Sequence, residues 1–262
     1  MYKNLEWLWK TENDFLMVER QTKRFPYVED IDVLGDKGKM PPQICEYWSF
    51  IQRRALPILE LATELDELRC LVFEAHGYAQ KLKEEKCRMK ASYHLFFPDV
   101  IVDGPRAKKI RNHTVQRFKE YTSKSTDPMF WLERAMTFGH MNGFEYNRWE
   151  AVFDKTCCNE GCGSRMPFSD KHADVIDKDR KTHIPNLGAD GKPRQRKVIE
   201  GRRLMPVGEY IFYRDPTKPP KVIYSDERTP EEWMNEARIR VPDNTPYAIG
   251  GKDDSELKKR KQ

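Results

Sequence analysis

The stretch FPYVEDIDVLGD, residues 25–36, decides how this chain is read. Its apolar residues alternate with polar ones, the period of a β-strand. The run stops at Gly35, before a Lys-Gly-Lys turn and Pro41-Pro42. A two-residue period projects Asp30 and Asp32 from one face of that strand. Two like charges side by side repel, and a divalent cation between them removes the repulsion. Hard carboxylate oxygens suit Mg²⁺ or Mn²⁺. A strand end with an exposed acidic edge gives the same pattern, so Asp-x-Asp alone does not choose between the two.

Outward from this strand, helical and strand periods interleave. From Ile44 to Leu68 the apolar residues Trp48, Ile51, Leu56, Leu59, Ala62 and Leu65 recur at helical spacing, and Pro57 should kink or divide that helix. RCLVFEAHG (69–77) reads as a buried strand and KLKEEKCRM (81–89) as a charged connector. ASYHLFFP (91–98) reads as a strand closed by Pro98. Pro105 to Tyr121 forms a basic amphipathic helix with proline in its first turn. RWEAVFD (148–154) is expected to be a strand ending on Asp154, and the glycines of CCNEGCGSRMP (157–167) force a tight turn. Residues 178–203 are polar, with nine Lys or Arg against three Asp or Glu. RLMPVGEYIFY (203–213) is a further strand. TPEEWMNEARI (229–239) is a short helix with Thr229 as N-cap and Pro230 at its first position. Residues 1–24 read as a partly helical lead-in. There is no internal repeat, no GxxxxGK[ST] loop and no regular βαβ rhythm, so the fold class is α+β rather than a doubly wound sheet.

Composition narrows the classes further. The 262 residues are 38% hydrophobic and 34% charged, and 13 Phe, 11 Tyr and 6 Trp supply the bulk of a core that a disordered chain lacks. No apolar run approaches the roughly 20 residues of a membrane helix, which argues against a membrane partner. The opening MYKNLEWLWK has no signal-peptide character. Forty-seven basic against 42 acidic residues leave a net charge of +5, compatible with a nucleic-acid partner. Six cysteines in such a chain point to a reduced, intracellular setting rather than a disulfide framework.

Three further groups carry chemistry. Lys90, Ser92 and His94 alternate along KASYHLFF and share one strand face, where an ammonium, a hydroxyl and an imidazole can cradle a phosphate. An ordinary polar face has the same pattern. Asp154 is followed by Arg165, Ser169 and Lys171, which suit either a site or a surface ion-pair network. The basic residues Arg106, Lys108, Lys109, Arg111, Arg117 and Lys119 could track a nucleic-acid backbone or form a solvated helix face. Cys158-x-x-x-Cys162 offers one short zinc-type spacing, with His172 or His183 to complete a set, but zinc sites usually pair two such spacings.

Taken in order, VEDIDV, KASYHLFF and FDKTCCNEGCGSRMPFSDK resemble the three motifs of the archaeo-eukaryotic primase superfamily. Within it they resemble the primase-polymerase (PrimPol) and large-DNA-virus and phage primase branch. The resemblance spans about residues 28–171, with RRLMPVGEYIF as its extension. It implies a ferredoxin- or RRM-like sheet with an accessory α/β part. It also implies a nucleotidyltransferase, a DNA primase or polymerase, working on single-stranded DNA with nucleoside triphosphates. Asp30, Asp32 and Asp154 would hold two Mg²⁺ or Mn²⁺ ions. Lys90, Ser92, His94, Arg165 and Lys171 would bind the nucleotide's phosphates. The CCNEGC turn and the basic stretch after Lys171 depart from the family pattern. Residues 1–250 are expected to form the catalytic domain. Residues 251–262 would be a charged tail or a linker to a helicase domain, in a protein acting in the cytoplasm or nucleus of a virus-, phage- or plasmid-bearing cell. A polymerase that only extends primers and a non-catalytic nucleic-acid-binding module of the same fold are the competing readings. A metal-dependent nuclease would gather the acids without needing Lys90, Ser92 and His94.

Overall fold

The structure is a computed structural model that describes residues 17–35, 40–79, 88–137, 147–159, 161–177, 179, 182, 184–199, 202–215 and 217–250. Its centre is an antiparallel sheet built on a 15-residue strand, β5 (Arg88–Val102). On one side of β5 lies β2 (Phe25–Leu34). On the other lie β3 (Glu67–Glu74) and, past a bend, the short β4 (Gly77–Ala79). The sheet continues from β3 to β9 (Met205–Tyr213) and ends at β10 (Lys221–Tyr224). Two smaller ribbons flank it: β1 (Val18–Arg20) with β6 (Gly163–Arg165), and β7 (His172–Ile176) with β8 (Gln195–Ile199). The α+β expectation holds.

Alternation divides this sheet into two faces. Tyr27, Ile31 and Val33 of β2, Val72 of β3 and Tyr93, Leu95 and Phe97 of β5 face a large core. It is covered by α1 (Trp48–Leu61), α2 (Gly104–Thr122), α3 (Pro128–Thr137) and the single turn α4 (Trp149–Val152). Each large apolar side chain buried there contributes roughly 1.5–3 kcal/mol. The opposite face carries Val28, Leu71, Phe73 and Phe96 in a smaller core. That core is closed by Phe168, Leu204 and Trp233, the last from α5 (Pro230–Glu236). Where the smaller core ends, the same face becomes polar, and Asp30 and Asp32 lie there.

One buried ion pair ties the helices to this strand. Glu29 faces inward among apolar neighbours and is wholly inaccessible, and its partner Arg54 on α1 is 1% exposed. Arg54 Nε and Nη2 both donate to the Glu29 carboxylate, the second at 2.7 Å, and the Tyr27 hydroxyl donates to Glu29 Oε1 at 3.0 Å.

Several elements depart from the sequence reading. The expected helix over 44–68 is shorter: Ile44–Glu46 is a separate 3₁₀ turn and α1 ends at Leu61. Arg214 explains the stop, because its guanidinium donates to the carbonyls of Leu59, Ala62 and Leu65 at the helix end. Pro57 lies inside α1 without dividing it. Pro98 does not close β5, which runs on to Val102. The register slips there between Pro26 and Tyr27, and a bulged strand has no ladder bond to demand of proline. RWEAVFD is not a strand: it folds as α4 followed by one bridge between Phe153 and Ile31. Its aromatic residues pack inward from a helical turn, with Trp149 and Phe153 both buried. The basic stretch 178–203 contains β8, an unexpected strand. The readings made for residues 1–16, 80–87 and 251–262 fall outside the described residues. The helix starts agree with expectation: Asp103 caps α2 by accepting from the Arg106 N–H at 2.9 Å, and Thr229 and Glu232 form a capping box on α5.

The buried pair makes a direct prediction. Arg54→Met strands the Glu29 carboxylate and should cost about 3–5 kcal/mol in a denaturant melt. The double change Glu29→Leu/Arg54→Met should cost less than Arg54→Met alone, since no buried charge is left unpaired.

Candidate active site

The register of β2 against β5 builds the site. Asp30 lies opposite His94, Asp32 opposite Ser92, and Leu34 opposite Lys90. Cross-strand partners share a face, so the two Asp of one motif and the three polar residues of the other meet without any loop being involved. Ser92 Oγ donates to Asp32 Oδ1 at 2.8 Å, and Lys90 Nζ lies 2.5 Å from Asp32 Oδ2. His94 Nε2 is 3.6 Å from Asp30 Oδ1. The Ser92 amide donates to His76 Nδ1 at 3.2 Å, fixing that part of the strand.

Asp154 arrives from a segment 124 residues further along the chain than Asp30. Its N–H donates to the Asp30 carbonyl at 2.9 Å, next to the Phe153–Ile31 bridge. Thr156 holds its side chain, donating to Oδ1 from both the backbone N–H and the hydroxyl at 2.8 Å. Arg111 of α2 steadies the approach by donating to the Phe153 carbonyl from Nε at 3.0 Å and Nη2 at 2.9 Å. Oxygen atoms of Asp30, Asp32 and Asp154 thereby come within 4.8 Å of one another.

The electrostatics of this cluster are strained in a consistent direction. Burial raises Asp30, the charge of Asp154 adds to the rise, and Lys90 opposes it. Burial and then the Asp30 charge raise Asp32. Burial lowers His94 to about 3, helped by the Arg165 charge, so its imidazole is neutral around pH 7. Lys171 keeps solvent contact, yet desolvation and the charges of Arg165 and Lys90 push its ammonium down. Arg165, on β6, is 7% exposed and donates to the Arg202 carbonyl at 2.5 Å. Asp30 therefore lies in the field of three cations, Lys90, Lys171 and Arg165, as well as of the Asp154 carboxylate.

A divalent cation fits this cluster. Asp30 Oδ1 is buried and has no hydrogen-bond donor. A buried carboxylate oxygen without a partner is costly, and an ion shared with Asp32 and Asp154 supplies the missing positive charge. Cys158 is fully buried against the helical core, Cys162 is half-buried, and no group of three metal-ligating side chains forms around them among the described residues. His172 lies in β7, and His183 falls outside the described residues.

Some site contributions escaped the sequence reading. Arg111 was grouped with the basic face of 106–119, but it serves Asp154. Arg106 pairs with Asp103, Arg117 with Glu60 and Glu120, and Lys119 with Glu150, so most of that face is engaged within the molecule. The inward Glu29 was legible in the strand alternation, which places it with Tyr27, Ile31 and Val33. Thr156 and Arg202 left no signal that spacing could reveal.

An antiparallel sheet that pairs an Asp-x-Asp strand with a Lys-x-Ser-x-His strand, and docks a third Asp beside them, defines the core of the archaeo-eukaryotic primase (AEP) superfamily. Residues 1–175 match the family model of the C962R protein N-terminal AEP domain, and the chain belongs to this family, in the viral primase-polymerase branch. No curated protein matches the chain at a significant level. Members of this superfamily are nucleotidyltransferases of primase-polymerase type that act on nucleic acids and nucleoside triphosphates with divalent metals. No helix among the described residues is long and apolar enough to cross a membrane.

Raised carboxyl groups bind protons more tightly in the folded chain than in the unfolded one. Their ionisation therefore costs stability as pH rises through the raised values toward neutrality. Asp30→Asn should raise the melting temperature of the metal-free protein at pH 7. Saturating Mn²⁺ should raise that of the unaltered protein by about 5–10 °C and leave Asp30→Asn nearly unmoved. Differential scanning fluorimetry checks both.

Proposed function

We propose that this chain is the catalytic domain of a DNA primase-polymerase, transferring nucleotides from NTPs or dNTPs to a 3′-hydroxyl as directed by a single-stranded DNA template. The observation that carries this reading is the gathering of three carboxylates where the charges of Lys90, Lys171 and Arg165 act on Asp30. Acids alone would repel a triphosphate. A non-catalytic binding module has no need to gather carboxylates beside a polyanion.

Asp30, Asp32 and Asp154 would hold two ions, Mg²⁺ or Mn²⁺. When bound, these supply activation of the attacking 3′ oxygen and neutralise charge on the triphosphate and the leaving pyrophosphate. The remaining work falls to the chain's own groups. Lys90 has three donors, so it can stay on Asp32 while reaching a phosphate oxygen. Ser92 keeps Asp32 in one orientation. His94, neutral in this setting, donates an N–H to phosphate rather than a full charge. Arg165 is held by the Arg202 carbonyl, and its charge would act on the triphosphate. Lys171 regains its proton affinity when that negative charge arrives beside it. These charges are fixed by the fold before the substrate binds, so little reorganisation is needed as charge develops.

Residues 1–250 would form this domain, with 251–262 as a charged linker toward a helicase domain or partner. Among the described residues the cations gather around one acidic triad, which favours primer extension over initiation, since initiation holds two nucleotides at once. The test is incorporation of labelled nucleotides on primed and unprimed single-stranded DNA with Mn²⁺ or Mg²⁺. Asp30→Ala, Asp32→Ala and Asp154→Ala should abolish incorporation and leave template binding intact. Lys171→Ala should raise the nucleotide KM roughly 10- to 150-fold, the effect of losing about 1.5–3 kcal/mol. His94→Ala should raise it roughly 2- to 12-fold, as a neutral contact would. Normal incorporation by Asp154→Ala would overturn the reading.

A further inference from the structure

The loop carrying Arg165 and Lys171 has one internal turn bond, from the Ser169 N–H to the Met166 carbonyl at 3.2 Å, and depends on its neighbours for the rest of its shape. Phe168 sits at φ 64°, a left-handed conformation that a bulky side chain adopts only where its surroundings impose it. The surroundings are Met17, whose backbone bonds the Met166 N–H and the Ser169 hydroxyl, and residues 202–204, which lie beyond the stretch that matches the family. The Phe168 N–H donates to the Leu204 carbonyl at 2.7 Å, and the Leu204 N–H donates to the Ser169 carbonyl at 3.0 Å. Arg165 Nη1 donates to the Arg202 carbonyl at 2.5 Å. Between these backbone contacts, Arg203 grips Asp170 with two prongs, Nε to Oδ1 at 3.2 Å and Nη2 to Oδ2 at 3.1 Å. Asp170 is 5% exposed and Arg203 a quarter exposed, so the pair is largely withdrawn from solvent screening.

The segment is itself anchored to the sheet. The Arg202 side chain lies against Gly77, where an added Cβ would come within 3.0 Å of Arg202 Cγ. Gly77 has φ 142°, a conformation that L side chains rarely adopt. The anchor thus runs from β4 through residues 202–204 to the loop that presents Arg165 and Lys171.

We propose that Arg203, through its ion pair with Asp170, is a positioning residue for nucleotide binding: it locks the 165–171 loop so that Arg165 and Lys171 stay directed at the aspartate cluster. Arg203 does not itself touch the nucleotide. The inference rests on the reading of Arg165 and Lys171 as phosphate-binding groups. A bidentate guanidinium–carboxylate contact fixes angle as well as distance, which is what aiming a neighbouring cation requires.

The experiment uses the full chain with Arg203→Gln, Arg203→Lys and Asp170→Asn, each alone and in an Arg165→Ala background. Primer-extension kinetics are read beside calorimetric binding of Mn²⁺ and of dATP with Mn²⁺. Arg203→Gln and Asp170→Asn should each raise the nucleotide KM about 10-fold while leaving kcat and Mn²⁺ affinity nearly unchanged. Arg203→Lys, which keeps the charge and loses the fork, should fall between these and the unaltered protein. With Arg165 already removed, Arg203→Gln should raise the KM by a smaller factor than it does alone, because only Lys171 is left to be misdirected. An unchanged KM in Arg203→Gln, or in Arg203→Lys where the glutamine variant does not fold, overturns the proposal. So does a loss of kcat, KM and Mn²⁺ affinity together, the signature of general unfolding. An unaltered protein that binds Mn²⁺ but no dATP would instead overturn the reading of the site. Tight dATP binding that Arg203→Gln leaves untouched would overturn the positioning role alone.

Discussion

Behind the strand that carries Asp30 and Asp32, the Glu29 carboxylate and the Arg54 guanidinium meet where water does not reach. Neither is tolerable there without the other, because a single charge in so apolar a place has nothing to replace its hydration. The pair also specifies register. Side chains on a strand alternate with a period of two, so slipping β2 by one position would carry Glu29 to the polar face and push both aspartates into the core. Arg54 lies near the rings of Tyr27, Phe97 and Phe153, with its guanidinium carbon 5.3–5.8 Å from their centres. Phe153 directly precedes Asp154. One buried cation is therefore in contact with both chain segments that supply the acidic cluster.

The two faces of the sheet solve opposite problems. The helical face neutralises a charge by enclosing it with its counter-charge. The other face leaves carboxylates and cations near one another but incompletely matched: Asp30 Oδ1 has no donor, and Lys171 is crowded by Arg165 and Lys90. Such a mismatch lowers stability in the free protein and is what a ligand combining cations with phosphates would relieve. The smaller core around Phe168, Leu204 and Trp233 gives this face its rigidity beside the polar cluster.

Much of this was legible in the sequence because alternation is a local property. The strand 25–34, the face shared by Lys90, Ser92 and His94, and the capped helices at 104 and 230 follow from spacing and end signals alone. What spacing could not give is the partner across space. Nothing near Asp154 announces that Arg111 will brace it. Aromatic residues in RWEAVFD looked strand-like because bulky side chains fit a pleated surface as well as a buried helical turn. Pro98 looked like a terminator because a bulge is made by the pairing of two strands and is invisible in either one. The basic run 178–203 hid β8, because a strand in so polar a stretch is revealed only by its pairing, here with His172–Ile176.

The Asp154 amide bonded to the Asp30 carbonyl joins the first half of the chain to the second, and the Arg69–Glu209 pair joins residues 140 positions apart. Loops of that size must close before the contacts that reward them exist, which slows folding. During synthesis the first two aspartates emerge on the nascent chain long before the third. The complete acidic triad is thus a product of the finished topology, and a partly made chain cannot display it.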